Sequence, residues 1–341
     1  MILENSKKIF YSLANNHLFK IISKKYMNDA IIFCYHRIIP NKLIDRKNFP
    51  DQSLVTSLEN FENHLKYFKK EYDCVSLSDL INNKKTSSSK FRICITFDDG
   101  YKDNIDYVLP LIKKYNIPIT IYVTTRFLED NVFLWWYELW DLLNNNDFLK
   151  FVWKNNYYNL KIYNKNKKIK TYKILSNILL NETLPNQKKL FELISGSKNT
   201  INYNYIFMNK ENLQKLDNNS LVTIGLHSHS HSRFSILNEY EIRDEINSSI
   251  RILEENIHSK VLHFAYPYGQ INDISEISKN IINSYGLQSI ATTINKNISL
   301  DNCDQLSLPR YGISNSDNLS SIAVKINGFH SLVKEKINVS C

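Results

Sequence analysis

Residues 91–123 read FRICITFDDGYKDNIDYVLPLIKKYNIPITIYV. The apolar run over 91–97 has the length of a buried strand, and it stops at Asp98-Asp99-Gly100. Ile105, Val108, Leu111 and Ile112 then share one face of a helix over 104–115. Pro118 opens a further strand over 119–123. Strand, helix and strand at this spacing form a βαβ unit, which predicts an α/β fold around a parallel sheet.

The same rhythm extends in both directions. Residues 30–35 read as another buried strand, and Leu58, Phe61, Leu65 and Phe68 mark a helix over 57–70. Residues 74–77 suggest a short strand and 82–90 a loop. From about 127 to 220 the rhythm changes: a Trp-rich helix near 135–143, a Lys/Asn/Tyr-rich stretch at 153–173, then helical patterning at 172–196 and 209–216. This reads as a mostly helical insertion between two strands of one sheet. Residues 221–226 resume as a strand ending at His227. A helix over 238–257 follows, with Asn238 as its cap and Glu241 three residues on. Strands at 261–266 and 288–293 flank a helix at 273–284, and a last helix over 317–335 begins at an Asp317 cap. The expected organisation is an N-terminal amphipathic helix over 1–29 and one domain over 30–341, interrupted by the insertion.

Composition narrows the function classes. With 43% hydrophobic and 23% charged residues in 341, the chain has material for a sizeable core and is not disordered. A net charge of +9 suits anionic partners without choosing among them. The five cysteines form no CxxC, so neither a zinc knuckle nor a disulfide framework is expected, and a reducing compartment is. No apolar run reaches 18 residues, and the run Ile9–Ala14 is too short for a signal-peptide core. A cytoplasmic location is therefore expected. Ile9, Leu13, Phe19 and Ile22 lie on one side of the N-terminal helix with lysines elsewhere. That helix either packs on the domain or makes a peripheral membrane contact. The 153–173 stretch fits a solvated hairpin, and no nucleic-acid partner is expected.

Polar clusters fall where strands end, the place at which α/β folds gather their sites. Asp98 and Asp99 cannot both be buried as carboxylates without a cation or a proton between them. They read as a metal ligand beside a free base, or as a helix N-cap pair. The spacing of Asp98, Asp99 and Asp103 does not fit a calcium loop. His227-Ser228-His229-Ser230-His231 follows another strand. On one helical turn His227 and His231 share a face, and with one carboxylate they make a three-ligand metal site. His229 points elsewhere or replaces one of them; a solvated polar loop is the plain alternative. His36, in Tyr35-His36-Arg37, reads as a core histidine or a catalytic acid. Tyr266-Pro267-Tyr268-Gly269 is a turn, or an N–H donor for an oxyanion with an aromatic wall. Arg310 is a surface charge or the partner of a buried carboxylate. Trp135, Trp136 and Trp140 are core residues or a surface on which a sugar stacks.

In this order the segments resemble the polysaccharide deacetylase family, the NodB-homology domain of the family 4 carbohydrate esterases. Thr96-Phe97-Asp98-Asp99-Gly100 matches its first motif and His227-Ser228-His229-Ser230-His231 its second. Phe264-Ala265-Tyr266-Pro267-Tyr268-Gly269 is similar to the third motif of one branch. Tyr35-His36-Arg37, the segment from Asn60 to Leu80, and Pro309-Arg310 resemble that branch too, so the likeness runs over about residues 30–315. The resemblance implies a distorted (β/α) barrel and a divalent metal, zinc first with cobalt or nickel as alternatives. It implies removal of an N-acetyl group from an amino sugar in a glycan or glycan precursor. Asp98 then resembles the general base; Asp99, His227 and His231 the metal ligands; the N–H of Tyr268 the oxyanion donor; and His36 the acid. The chain departs from the pattern in three places. The third motif lacks its leading Arg near Phe264, a role that Arg310 is expected to fill. No Leu-x-His motif occurs, which shifts the acid onto His36. Ser232 stands where a Pro usually follows the second His. The expected partner is an N-acetylated sugar, oligosaccharide or lipid-linked precursor. A catalytically silent module that binds glycan or metal is the alternative reading.

Overall fold

The computed structural model describes residues 29–44, 52–82, 90–129, 132–196 and 203–328. Residues 1–28, which carry the expected N-terminal helix, and the end of the helix expected over 317–335 lie outside them. The strands are β1 (Ala30–Tyr35), β2 (Arg37–Ile39), β3 (Val55–Ser57), β4 (Asp73–Cys74), β5 (Arg92–Phe97), β6 (Ile119–Val123), β7 (Phe148–Trp153), β8 (Asn156–Lys161), β9 (Val222–Leu226), β10 (His263–Ala265), β11 (Ser289–Ala291) and β12 (Tyr311–Gly312). The α-helices are α1 (Leu58–Glu71), α2 (Leu77–Ile81), α3 (Leu109–Tyr115), α4 (Trp135–Asn144), α5 (Lys165–Leu180), α6 (Leu184–Ser195), α7 (Lys210–Asp217), α8 (Glu239–Glu254), α9 (Glu276–Asn283) and α10 (Leu319–Ile326).

The main sheet runs β11-β10-β9-β6-β5-β1-β12, with β4 beside the start of β5, and its ladders are parallel. The sheet curls. Leu308 bridges to Ala291 of β11, while Tyr311 and Gly312 pair with Phe33 and Cys34 of β1. The segment 308–312 therefore reaches both sides of the curl and gives the distorted (β/α) barrel. Alternate residues of each strand face opposite ways. Ile31, Phe33, Tyr35, Ile93, Ile95 and Phe97 pack with Phe61, Leu65 and Phe68 of α1. Ala30, Ile32, Cys94, Tyr122, Ala265 and Ala291 cluster on the other face with Leu308. Several of these inner residues are small, which makes room for large side chains inserted between them. Gly225 of β9 has the same origin: a Cβ there would lie 2.6 Å from the Tyr122 ring.

The local signals hold at most helix starts. Ser57 caps α1 by accepting from the Asn60 N–H, and Asn238 and Glu241 form a capping box on α8. The cap of α10 is Asn318 rather than Asp317, whose carboxylate instead pairs with Lys325. The helix expected over 104–115 begins as a π turn over Asn104–Val108. Between β6 and β9 the chain forms α4, the β7–β8 hairpin, α5, α6 and α7. Lys154 and Asn155, at φ 46° and 64°, make its two-residue turn. Phe133, Leu139, Leu149, Leu175 and Leu190 give this segment a core of its own.

Two histidines are buried in the scaffold as neutral rings. His64 of α1 accepts from the Tyr35 hydroxyl at 3.0 Å and donates to the Asp317 carbonyl at 2.8 Å. His263 of β10 lies 2.9 Å from both Ser78 Oγ and Ser289 Oγ. Burial holds each pKa down at about 4, whereas an unfolded imidazole titrates at about 6.5. Between those values the unfolded chain binds more protons, so stability falls as the pH drops through that window. Each ring contributes roughly 3 kcal/mol to the loss. Urea unfolding from pH 7 to 4.5 is expected to show a shallower decline for His64→Gln than for the unsubstituted protein. Equal slopes would contradict the assignment of a buried neutral ring.

Candidate active site

Asp98 and Asp99 follow the carboxyl end of β5 at a turn that is left-handed at Asp99 (φ 76°) and Gly100 (φ 81°). Such a backbone is strained at a non-glycine residue, and here it gives the two carboxylates different partners. Asp98 accepts from Arg310 through both oxygens, Oδ1 from Nη1 at 2.7 Å and Oδ2 from Nη2 at 2.8 Å. The Cys34 thiol donates to the same Oδ2 at 3.3 Å. Arg310 is wholly buried, so it is a carboxylate partner and not a surface charge. It also donates to the Thr292 carbonyl (2.9 Å) and Thr96 Oγ1 (3.1 Å), and lies over the Tyr122 ring at 5.2 Å. Burial pushes the Asp98 pKa up, but the Arg310 charge and hydrogen bonds overcome it and hold it at about 2.

Asp99 faces the histidine loop. Its Oδ1 lies 3.3 Å from His227 Nε2 and 3.1 Å from His231 Nε2. Burial raises its pKa, yet the two imidazoles hold the carboxyl well below the usual range. His227 donates from Nδ1 to the Ala265 carbonyl at 2.8 Å, which turns its Nε2 toward Asp99. This outer hydrogen bond is the arrangement that fixes a metal-ligating imidazole. Asp99, His227 and His231 each present a ligand atom, all within 4.8 Å of one another. Asp99 Oδ1 is buried without a well-formed hydrogen bond, as befits three donors grouped around a common point rather than paired. Two imidazoles and a carboxylate suit a divalent metal such as zinc.

The histidine loop is not the helical turn expected from the four-residue spacing. Left-handed backbone at Ser228 (φ 63°) and His231 (φ 59°) brings the two rings to 5.2 Å instead. Glu245 of α8 clamps this loop. Its Oε2 accepts from the N–H groups of His229 (2.9 Å) and Ser230 (2.8 Å), and its Oε1 from the Ser230 hydroxyl. His229 turns away to Thr125 Oγ1 at 2.9 Å. Reading the sequence missed Glu245; the signal was a carboxylate on the helix face that buries Ile242, Ile246 and Leu253.

His36 opens onto the same cavity, with a ring nitrogen within 4.8 Å of the Cys34 thiol and an Asp98 oxygen. Burial lowers its pKa against the pull of Asp99 and Asp98. Its backbone is pinned from the π turn. Asn104 Nδ2 donates to the His36 carbonyl at 3.0 Å, and Asp103 accepts from Arg37 Nε (2.8 Å) and the Ile38 N–H (3.0 Å). Single-turn π-bulges are frequent at functional sites, and neither Asp103 nor Asn104 was singled out for this task from sequence. Tyr268 (φ 61°) sets its ring 4.8 Å from that of His231. Gly269 is needed beside it, since a Cβ there would meet the Thr293 nitrogen at 2.9 Å. Among the tryptophans, Trp135 is buried, Trp140 packs on Tyr172 at 5.6 Å, and the half-buried Trp136 stands 5.5 Å from the His231 ring. The cavity has a volume of about 620 Å³ and includes His36, Asp98, Asp99, His227, His231 and Tyr268 in its walls; Arg310 lies behind Asp98.

Comparison with known proteins agrees with this geometry. The polysaccharide deacetylase family matches residues 85–157 and 179–290, more than half of the chain. No curated protein is significantly similar in sequence. Among solved structures, a de-N-acetylase from Aggregatibacter actinomycetemcomitans is 14% identical, with 87% of this chain and 99% of that chain covered at a TM-score of 0.56. IcaB from Ammonifex degensii is 16% identical, with 88% and 97% covered at a TM-score of 0.55. The Streptococcus pyogenes deacetylase PplD, solved in complex with acetate, is 16% identical, with 88% and 99% covered at a TM-score of 0.53. At such identities the likeness is one of fold. The family match over both the β5 turn and the histidine loop carries more, and on it this chain belongs to the polysaccharide deacetylase family.

Proposed function

We propose that this chain is a metal-dependent hydrolase that removes an N-acetyl group from an amino sugar of a glycan. The observation that carries the reading is one cavity holding two unlike carboxylates: Asp99 grouped with His227 and His231, and Asp98 ionised and anchored from behind. Membership of the family supports the same class of reaction. A divalent cation held by Asp99, His227 and His231, zinc first and cobalt or nickel as alternatives, supplies Lewis acidity toward the acetyl carbonyl and toward water.

The chain's own groups do the rest. Amide hydrolysis needs a proton removed from the attacking water and a proton given to the departing amine. Asp98 takes the first. A carboxylate has about four lone-pair positions; Arg310 uses two and Cys34 one, which leaves one for water. Arg310 also fixes the orientation of Asp98, so little reorganisation is needed as the proton moves. His36 gives the second proton, and imidazole is the side chain suited to that task near neutral pH. The N–H of Tyr268 donates to the oxyanion that develops on the carbonyl oxygen. The C–N bond then breaks and yields acetate and a free amine.

Chelation is expected to abolish acetate release from N-acetylated oligosaccharides, and zinc, cobalt or nickel to restore it. His227→Ala should lose both bound metal and activity, whereas Asp98→Asn should keep the metal and lose ~10²–10⁴-fold in rate. Release that survives chelation, or a fully active Asp98→Asn, would contradict the mechanism. Tight metal binding without turnover of any glycan would point to a silent binding module. Arg310→Ala leaves the Asp98 charge buried alone and should cost ~3–5 kcal/mol in urea unfolding. Adding Asp98→Ala should recover part of that loss, because the two sites are in contact; strictly additive losses would rule out the pairing as its cause.

A further inference from the structure

The cavity holds a second group of ligand atoms beside Asp99, His227 and His231. Cys34 Sγ, a His36 ring nitrogen and an Asp98 oxygen all lie within 4.8 Å of one another. All three residues line the cavity. The two groups are neighbours, since Asp98 Oδ2 is 3.9 Å from His227 Nε2. Cys34 sits in β1, and its thiol donates to Asp98 Oδ2 at 3.3 Å. A sulfur and an oxygen bound to one tetrahedral zinc, at about 2.3 and 2.0 Å, stand about 3.5 Å apart. The observed pair is close to that spacing, so a cation could replace the thiol proton with little movement of either side chain. The Asn104 side chain pins the backbone of His36, which fixes the strand end that carries the third ligand. A sulfur, an imidazole and a carboxylate favour zinc, cobalt or cadmium over magnesium and calcium.

Charge sets the order in which the two groups fill. A cation at Asp99 meets a carboxylate and two imidazoles. A cation at Asp98 meets a carboxylate already shared with the Arg310 guanidinium, and it lies close to the first cation. Both repel it, so it binds the more weakly of the two. Burial keeps the Cys34 thiol protonated without metal. On binding, that proton leaves to solvent and one metal–sulfur bond forms, with no change of oxidation state. We propose that Cys34, His36 and Asp98 form a second, inhibitory site for a thiophilic divalent cation, filled only when metal exceeds what Asp99, His227 and His231 hold. A cation there draws charge from the Asp98 carboxylate and takes the His36 lone pair that must carry a proton, so both proton transfers fail. The inhibition rests on the deacetylase reading; the binding does not.

The test counts metal ions and follows the sulfur. Metal-stripped protein is titrated with cobalt, and the near-ultraviolet absorption of a thiolate–cobalt bond is recorded. The first equivalent is expected to add none of it and the second to bring it in. Cys34→Ser, which keeps a hydroxyl donor beside Asp98, should take up the first equivalent as before and lose both the second and the absorption. Its uptake of the first equivalent also shows that the variant folds. Zinc beyond one equivalent should suppress acetate release from N-acetylated oligosaccharides in the unsubstituted protein, whereas Cys34→Ser should hold its own rate over the same range. Uptake of one equivalent only would overturn the second site. So would a thiolate absorption that arrives with the first equivalent, or an absorption or zinc inhibition that persists in Cys34→Ser. A second equivalent that Cys34→Ser loses, in a protein that releases no acetate, would keep the site and remove the deacetylase reading.

Discussion

The ion pair between Arg310 and Asp98 organises this molecule. Both partners are buried, and a buried charge is tolerated only when paired and fully hydrogen-bonded. Arg310 meets this condition with two bonds to Asp98, one to the Thr292 carbonyl, one to Thr96 Oγ1, and the face of Tyr122. The pair joins the end of β5 to the segment 308–312, which itself reaches both β11 and β1. The contact that orients a carboxylate in the cavity thus also holds together the curled sheet. The small inner residues follow from it, because a guanidinium and a tyrosine ring must fit among them.

Around this pair the site is built from turns that regular structure does not supply. Asp99, Ser228, His231 and Tyr268 all adopt left-handed backbone without being glycine. Each such residue costs free energy that the surroundings must offset. Glu245 offsets part of it by accepting two backbone N–H groups of the histidine loop. Around His36, Asp103 accepts from the Ile38 N–H and Asn104 donates to the His36 carbonyl, which holds that segment in place. A rigid helix and a π turn thereby position side chains that lie on loops, as a site with fixed geometry requires.

The segment between β6 and β9 has a core of its own and still contributes to the cavity. The barrel side of the cavity carries Asp98, Asp99, His227 and His231, while Trp135, Trp136 and Tyr172 line it from the inserted side.

Much of the fold was legible in the residues. Strands at 30–35, 91–97 and 119–123 match β1, β5 and β6, because a strand buried on both faces is a short apolar run with no competing period. The Asn238 cap was legible because its bond to residue 241 is local. Terminal choices less strictly local were not: Asn318 caps α10 because Asp317 is taken by Lys325. At the site, the side chains that meet in the cavity were legible by chemical type and by their place at strand ends. Their convergence was not, since His227 and His231 come together through left-handed residues rather than along a helix face. Nor were Glu245, Cys34 and Asp103, whose partners lie 15, 64 and 65 residues away. The sequence by itself determined the alternation of strands and helices and the chemical types gathered at strand ends, because these depend on short-range periodicity and composition. Tertiary structure alone decided which carboxylate faces Arg310 and which faces the histidines, because that choice turns on burial and on contacts made only once the sheet has curled.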